Sequence, residues 1–142
     1  MDRRSLLRFT VAGAATGIIA PRSALADREA FNPWRAPTAG SFYYTEDAPG
    51  RWSQKVEGHL PRFEREGVLV EVTTGHEMNP FEHYIVKHQL FDETFRLIAE
   101  KMFNPLTERA PVSRHNVTGH SNRIYALSVC NKHDAWLNVL DL

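Results

Sequence analysis

Asn122-Arg123-Ile124-Tyr125-Ala126-Leu127-Ser128-Val129-Cys130 is the stretch that decides the fold. Its side chains alternate, with Ile124, Ala126, Ser128 and Cys130 on one side and Tyr125, Leu127 and Val129 on the other. A period of two marks an extended strand. Outward from it, Gly67 to Thr74 alternates with Val68, Val70 and Val72 on one face, and His83 to Phe91 is a second β-rich run. Ala135 to Leu142 reads as the last strand. Thr94 to Phe103 fits helix by propensity, but its shortness and Pro105 behind it let a strand compete. Short strands with turn residues about every ten positions predict an all-β antiparallel sandwich over residues 51–142.

The N-terminus reads as an export signal. Arg3-Arg4-Ser5-Leu6-Leu7-Arg8 has the paired arginines of a twin-arginine signal, and the apolar stretch Phe9 to Ala20 is too short to span a bilayer. Ala24-Leu25-Ala26 supplies a small-x-small cleavage site, so residues 1–26 are expected to leave and a periplasmic chain to begin at Asp27. No stable membrane insertion is expected after cleavage. Residues 27–50 hold Pro33, Pro37, Gly40, Pro49 and Gly50 among aromatics and read as an irregular arm, wrapping the domain through Trp34, Phe42, Tyr43 and Tyr44. Without the signal, 13 Lys and Arg face 16 Asp and Glu, a net charge of about −3 with histidines neutral. Such a balance gives no reason to expect a nucleic-acid partner.

The chain has one cysteine, Cys130, so an internal disulfide is excluded. It stands in Cys130-Asn131-Lys132-His133-Asp134-Ala135-Trp136, where a tight turn can bring a thiolate and an imidazole onto one metal ion. His59, in Glu57-Gly58-His59-Leu60-Pro61, lies in a loop before the first clear strand, and His76 and His83 bracket a turn into the second. Together these give four imidazoles and one thiolate from three loops or strand ends. His88, five residues after His83, is expected on the opposite face, at the surface or behind the site. His115 and His120 flank a polar turn and receive no ligand role, and Trp136 is read as packing over the site.

The run Cys130-Asn131-x-His133-x-x-Trp136, with Glu57-x-His59-x-Pro61 and His83-Tyr84-Ile85, resembles the iron domain of the superoxide reductases, the neelaredoxins and desulfoferrodoxins. The resemblance spans roughly residues 51–140. It implies an immunoglobulin-like β-sandwich and one non-haem iron, with His59, His76, His83 and His133 equatorial and Cys130 axial. Glu57 then takes the place of a carboxylate that caps the open position of resting ferric iron. The implied reaction is reduction of superoxide to hydrogen peroxide, with electrons from a rubredoxin-like or other periplasmic donor. Relatives form dimers or tetramers, so a homo-oligomer is a further expectation. The four-cysteine rubredoxin-like module of the desulfoferrodoxins is missing, which points to the one-iron class.

Three positions depart from the family pattern. Gly58 stands where a lysine usually precedes the first histidine, and Lys55, Lys87 and Lys132 are the cations that can replace it. His76 and His83 are seven apart rather than six, with Glu77 where proline is usual. Asp134 replaces the glycine usual after the last histidine. Two alternatives compete: an exported cupredoxin-like copper carrier, weakened because Met1, Met78 and Met102 all precede the cysteine, and a non-catalytic relative of the iron domain.

Overall fold

The computed structural model describes residues 32–33 and 36–142. The signal reading over 1–26 and the contact assigned to Trp34 lie outside the described residues. Among the described residues, seven strands form two antiparallel sheets. β1 (Arg62–Glu66), β2 (Leu69–Thr73) and β5 (Val112–Asn116) make one, in the order β1-β2-β5. β3 (Ile85–Phe91), β4 (Leu97–Met102), β6 (Arg123–Cys130) and β7 (Asp134–Asp141) make the other, in the order β4-β3-β6-β7. Before β1 lie a 3₁₀ turn, Gly50–Trp52, and one short helical turn, α1 (Val56–His59). The all-β sandwich is as expected, and the ambiguous Thr94 to Phe103 run is resolved as strand β4.

The inward faces are built in layers. Along β6, Ile124, Ala126, Ser128 and Cys130 are all buried, as the alternation requires. Ile124 and Ala126 pack with Val70, Val72, Leu90 and Val117 into an apolar core. Cys130 packs with Met78, Ile85 and Phe103 at the other end of the strand. Between them, level with Ser128, the interior is polar: Thr74, His88 and Ser113 are buried there.

His88 is wholly buried, so of the two places the sequence allows, the surface and behind the site, it takes the second. His83 lies in the turn before β3, and a register shift between Ile85 and Lys87 turns both Ile85 and His88 inward. Counting faces from His83 therefore fails. Val68 is also not inward; it sits ahead of β2 and is half exposed. His115, flanking the polar turn as expected, lies on β5 and is buried.

The arm docks on the free edge of β7. The Tyr44 amide donates to Ala135 O (2.9 Å), and the Leu137 amide donates to Tyr44 O (2.8 Å). The Tyr44 ring packs on Trp136, with centroids 5.5 Å apart. Phe42 does not share in this, being 80% exposed. At Gly50 (φ 48°) a Cβ would lie 2.4 Å from Gly40 O and 3.0 Å from the Tyr44 ring, so only glycine lets the arm close there. That closure sets Trp52 beside the end of the sandwich where Cys130 lies.

Candidate metal centre

Four imidazoles and the thiolate meet where the sequence reading gathers them. One donor atom each from His59, His76, His83, Cys130 and His133 lies within 4.8 Å of every other. They come from four local structures, with Cys130 and His133 sharing one turn. His59 ends α1, and its Nδ1 hydrogen bonds to Lys55 O at 2.9 Å. His76 follows β2, with its amide on Thr74 O (2.7 Å) and its Nδ1 on Glu77 O. His83 closes a turn in which the Asn79 amide donates to His83 O (3.0 Å) and the His83 amide to Asn79 O (3.2 Å). The seven-residue spacing is absorbed there, with Phe81 left-handed at φ 58°.

Cys130 and His133 flank the turn between β6 and β7, and Asn131 locks that turn to the His83 loop. Asn131 Oδ1 accepts from the Tyr84 amide (3.0 Å), Nδ2 donates to Glu82 O (3.1 Å), and the Asn131 amide donates to Tyr84 O (3.2 Å). The two residues beside His83 are thus tied to the residue beside Cys130. Asp134 takes φ 62°, which explains why glycine suits this position, and aspartate is among the few other residues that enter this region readily.

The nitrogens form a chain of close contacts. His59 Nε2 lies 2.9 Å from His133 Nδ1, which lies 2.9 Å from His83 Nε2, which lies 3.0 Å from His76 Nε2. Cys130 Sγ is 3.9 Å from His76 Nε2 and 3.7 Å from His133 Nδ1, so the sulfur joins the same cluster.

The spacing selects the kind of ion. Donors at right angles with bonds of about 2.1 Å lie about 3.0 Å apart, whereas tetrahedral donors lie about 3.4 Å apart. The observed 2.9–3.0 Å fits right angles. The tautomers agree, because Nδ1–H of His59 and of His76 is spent on a backbone carbonyl, leaving the Nε2 lone pair facing inward. Four imidazole nitrogens and one sulfur brought this close make a donor set that fits one metal ion.

Electrostatics favour the neutral form of three of the imidazoles, His59, His83 and His133. Burial, then the neighbouring His76, lowers the His59 pKa to about 4. Burial is also the first cause lowering His83 and His133. Burial raises the Cys130 thiol, opposed by the backbone N–H groups of Lys132 and His133, the former 3.4 Å from Sγ. A metal would reverse that rise by binding the thiolate.

Glu57 is not gathered with the donors. It is exposed on α1, two residues before His59, and neighbours two apart on a helical turn do not share a face. Lys87 is held by Glu100 at 3.0 Å, while Lys55 and Lys132 both act on His133. Trp136 does more than pack, since its indole N–H donates to His133 O at 2.8 Å. Trp52 was not foreseen; its ring meets the His133 imidazole edge-on at 4.6 Å. It stands 81 positions from His133, and no short-range spacing signals that contact. Four converging imidazoles also depart from the two-histidine trigonal set of a cupredoxin.

Comparisons with known proteins agree with this geometry. The family model described as desulfoferrodoxin matches residues 51–139. A superoxide reductase of Thermococcus kodakarensis is 37% identical over 109 residues, covering 66% of this chain and 92% of that protein. One from Pyrococcus abyssi is 35% identical over 109 residues with the same coverages. Among solved structures, the superoxide reductase (neelaredoxin) of Ignicoccus hospitalis aligns at TM-score 0.56 and 25% identity, over 72% of this chain and 95% of that one. The superoxide reductase (1Fe-SOR) of Giardia intestinalis shares the fold at TM-score 0.52 and 23% identity, over 61% and 99%. The matched span runs from the turn before His59 into the last strand and takes in all five donors, so this chain belongs to the desulfoferrodoxin family.

Proposed function

We propose that this chain is a superoxide reductase, an oxidoreductase that holds one non-haem iron between His59, His76, His83, Cys130 and His133. The observation that carries this reading is the convergence of one donor atom from each of four imidazoles and from Cys130 to within 4.8 Å of one another. The names of the relatives support superoxide as the substrate. When bound, the iron supplies a one-electron couple and an open sixth position. Overall, superoxide takes up one electron and two protons and leaves as hydrogen peroxide, and an external donor protein, rubredoxin-like or another periplasmic carrier, returns the electron.

The chain's own residues set the conditions for that transfer. Lys55 O and Glu77 O hold His59 and His76 in the ligating tautomer. The Lys132 amide steadies negative charge on Cys130 Sγ. Lys55 and Lys132 take over the attraction of the superoxide anion, since Glu100 engages Lys87. Glu57 is exposed on α1 and would have to swing toward the centre to act as a carboxylate ligand of the oxidised form, a role that Glu57→Ala tests: an altered ferric spectrum at neutral pH is expected. The paired arginines support export to the periplasm, which N-terminal sequencing of the secreted protein checks.

The reductase reading is tested with iron-loaded protein and a stoichiometric reductant. One hydrogen peroxide per superoxide is expected, rather than the one per two that dismutation yields. Cys130→Ser is expected to abolish turnover. Equal activity in wild type and Cys130→Ser, or failure of the purified protein to hold iron, overturns the reading.

A further inference from the structure

Between the apolar core and the five donors lies a polar layer that the proposed reaction does not use. His88 Nε2 is 2.9 Å from Thr74 Oγ1, and His88 Nδ1 is 2.8 Å from Ser113 Oγ. Thr74 Oγ1 donates to Ser128 Oγ at 2.8 Å, and His115 Nε2 is 2.9 Å from Ser113 Oγ. Thr74, His88 and Ser128 are 1% exposed or less, and Ser113 and His115 are also buried. The layer joins the sheets: Ser113 and His115 come from β5, Thr74 follows β2, and His88 and Ser128 are cross-strand partners on β3 and β6.

With Thr74 donating to Ser128, the protons take a head-to-tail order. Thr74 spends its hydroxyl proton on Ser128, so it accepts from His88 Nε2–H. His88 Nδ1 then accepts from the Ser113 hydroxyl, which in turn accepts from His115 Nε2–H. Every bond runs head to tail, an arrangement in which each strengthens the next. Among the described residues no buried side-chain nitrogen or oxygen lacks a partner. The order needs a neutral imidazole at its centre, and burial keeps His88 neutral down to about pH 3.

Two ends of the layer lead to the donors. Ser128 and Cys130 are two residues apart on the inward face of β6. Thr74 O accepts the His76 amide at 2.7 Å. The Thr74–Ser128 bond therefore fixes the distance between the end of β2, which carries His76, and the end of β6, which carries Cys130. His88 holds that bond from behind, and its ring is steadied edge-on by Phe103 at 4.8 Å.

We propose that His88 is a positioning residue of the metal centre, acting through Thr74 and Ser128 to hold His76 and the Cys130 sulfur at ligating distance from one ion. The inference rests on the metal-centre reading above. Displacing an outer partner of a metal ligand typically costs ten- to a hundredfold in affinity, and here one bond serves two ligands.

The test uses metal-stripped full-length protein titrated with cobalt(II), whose bond to a thiolate gives a near-ultraviolet charge-transfer band. Thr74→Val keeps the side-chain shape and removes the hydroxyl; His88→Leu removes the clamp itself. Both are expected to lower cobalt affinity at least tenfold and to shift or weaken the thiolate band. In the metal-free protein, Thr74→Val is expected to raise the rate of Cys130 alkylation severalfold. Thr74→Val with wild-type band, affinity and alkylation rate overturns the proposal whether or not His88→Leu folds. A wild type that gives no thiolate band at all overturns the metal-centre reading, and this proposal with it.

Discussion

The Asp134 carboxylate accepts a hydrogen bond from the Trp52 indole N–H at 2.9 Å, although 82 positions separate the two residues. The same oxygen meets Arg51 at 2.5 Å, and the Arg51 guanidinium lies over the Trp52 ring. This carboxylate holds the indole edge-on against His133. Both ion-pair partners are well exposed, so the arginine contributes little to stability. What Asp134 supplies is position, since it anchors the 3₁₀ turn over one face of the centre. Its acid is held below the usual carboxylate range, first by Arg51 and then by Trp52.

The left-handed backbone of Asp134 ranks its substitutions. Asp134→Gly and Asp134→Asn are expected to keep wild-type stability within a few tenths of a kcal/mol, while Asp134→Val loses about 1–2 kcal/mol to backbone strain. Urea unfolding of the metal-stripped forms gives the ranking. Trp52 supplies a separate readout: Asp134→Gly, which removes the carboxylate without strain, is expected to change tryptophan emission where Asp134→Asn does not.

Metal removal is expected to lower thermal stability sharply. Four imidazoles face one another at contact distance, and burial lowers the pKa of His59, His83 and His133, which opposes protonation as a relief of the crowding. A metal bound at a thousandfold excess over its dissociation constant stabilises the fold by about 4 kcal/mol, on the order of ten degrees in Tm for a domain of this size. Calorimetry with and without a chelator measures the difference. Unchanged Tm would mean that the five donors do not hold an ion together.

The strands that read clearly are those whose inward side chains are apolar. Val70 and Val72 on β2, and Ile124 and Ala126 on β6, announce themselves by alternation and lie at 0% exposure. β5 escaped because its inward residues are Ser113 and His115, so the polar layer hides the strand that supplies it. For His88 the sequence leaves the surface and the layer behind the site both open, because the register shift ahead of it defeats counting faces from His83. The donors were legible because their chemistry is unusual: one cysteine, and histidines set at turns. Trp52 and Asp134 were not, because only the closed arm and the left-handed turn after His133 bring them together.

Acid is expected to weaken the metal-free fold through His88. The unfolded chain takes up a proton at this residue near pH 6.5, while burial holds the folded pKa at about 3. Between those values the unfolded state binds more protons, so stability falls as pH falls, by up to about 1.4 kcal/mol per pH unit. From pH 7 to pH 5 the loss due to His88 is about 2 kcal/mol. The groups facing it are Thr74, Ser113 and the Phe103 ring, with His115 lowering its pKa further. Urea unfolding of wild type and His88→Gln at both pH values isolates this part, because the other histidines titrate in both proteins. Parallel losses would show that His88 is not held neutral.

Gly58 offers a direct test of how superoxide is drawn in. A Cβ built there meets only Gly75 O, at 3.8 Å, and the residue needs no left-handed backbone. Gly58→Lys is therefore expected to fold as the wild type does and to place a third cation beside Lys55 and Lys132. Attraction of a small anion through a cluster of like charges raises its association rate and makes that rate fall with salt. The variant should consume superoxide severalfold faster than wild type at low ionic strength and converge with it at high salt. Lys132→Ala should do the reverse, slowing the low-salt rate and flattening the salt dependence. Rapid mixing with superoxide across a salt series reads both. If the rate of Lys132→Ala matched that of wild type at every ionic strength, positive charge near His133 would have no part in capturing the anion.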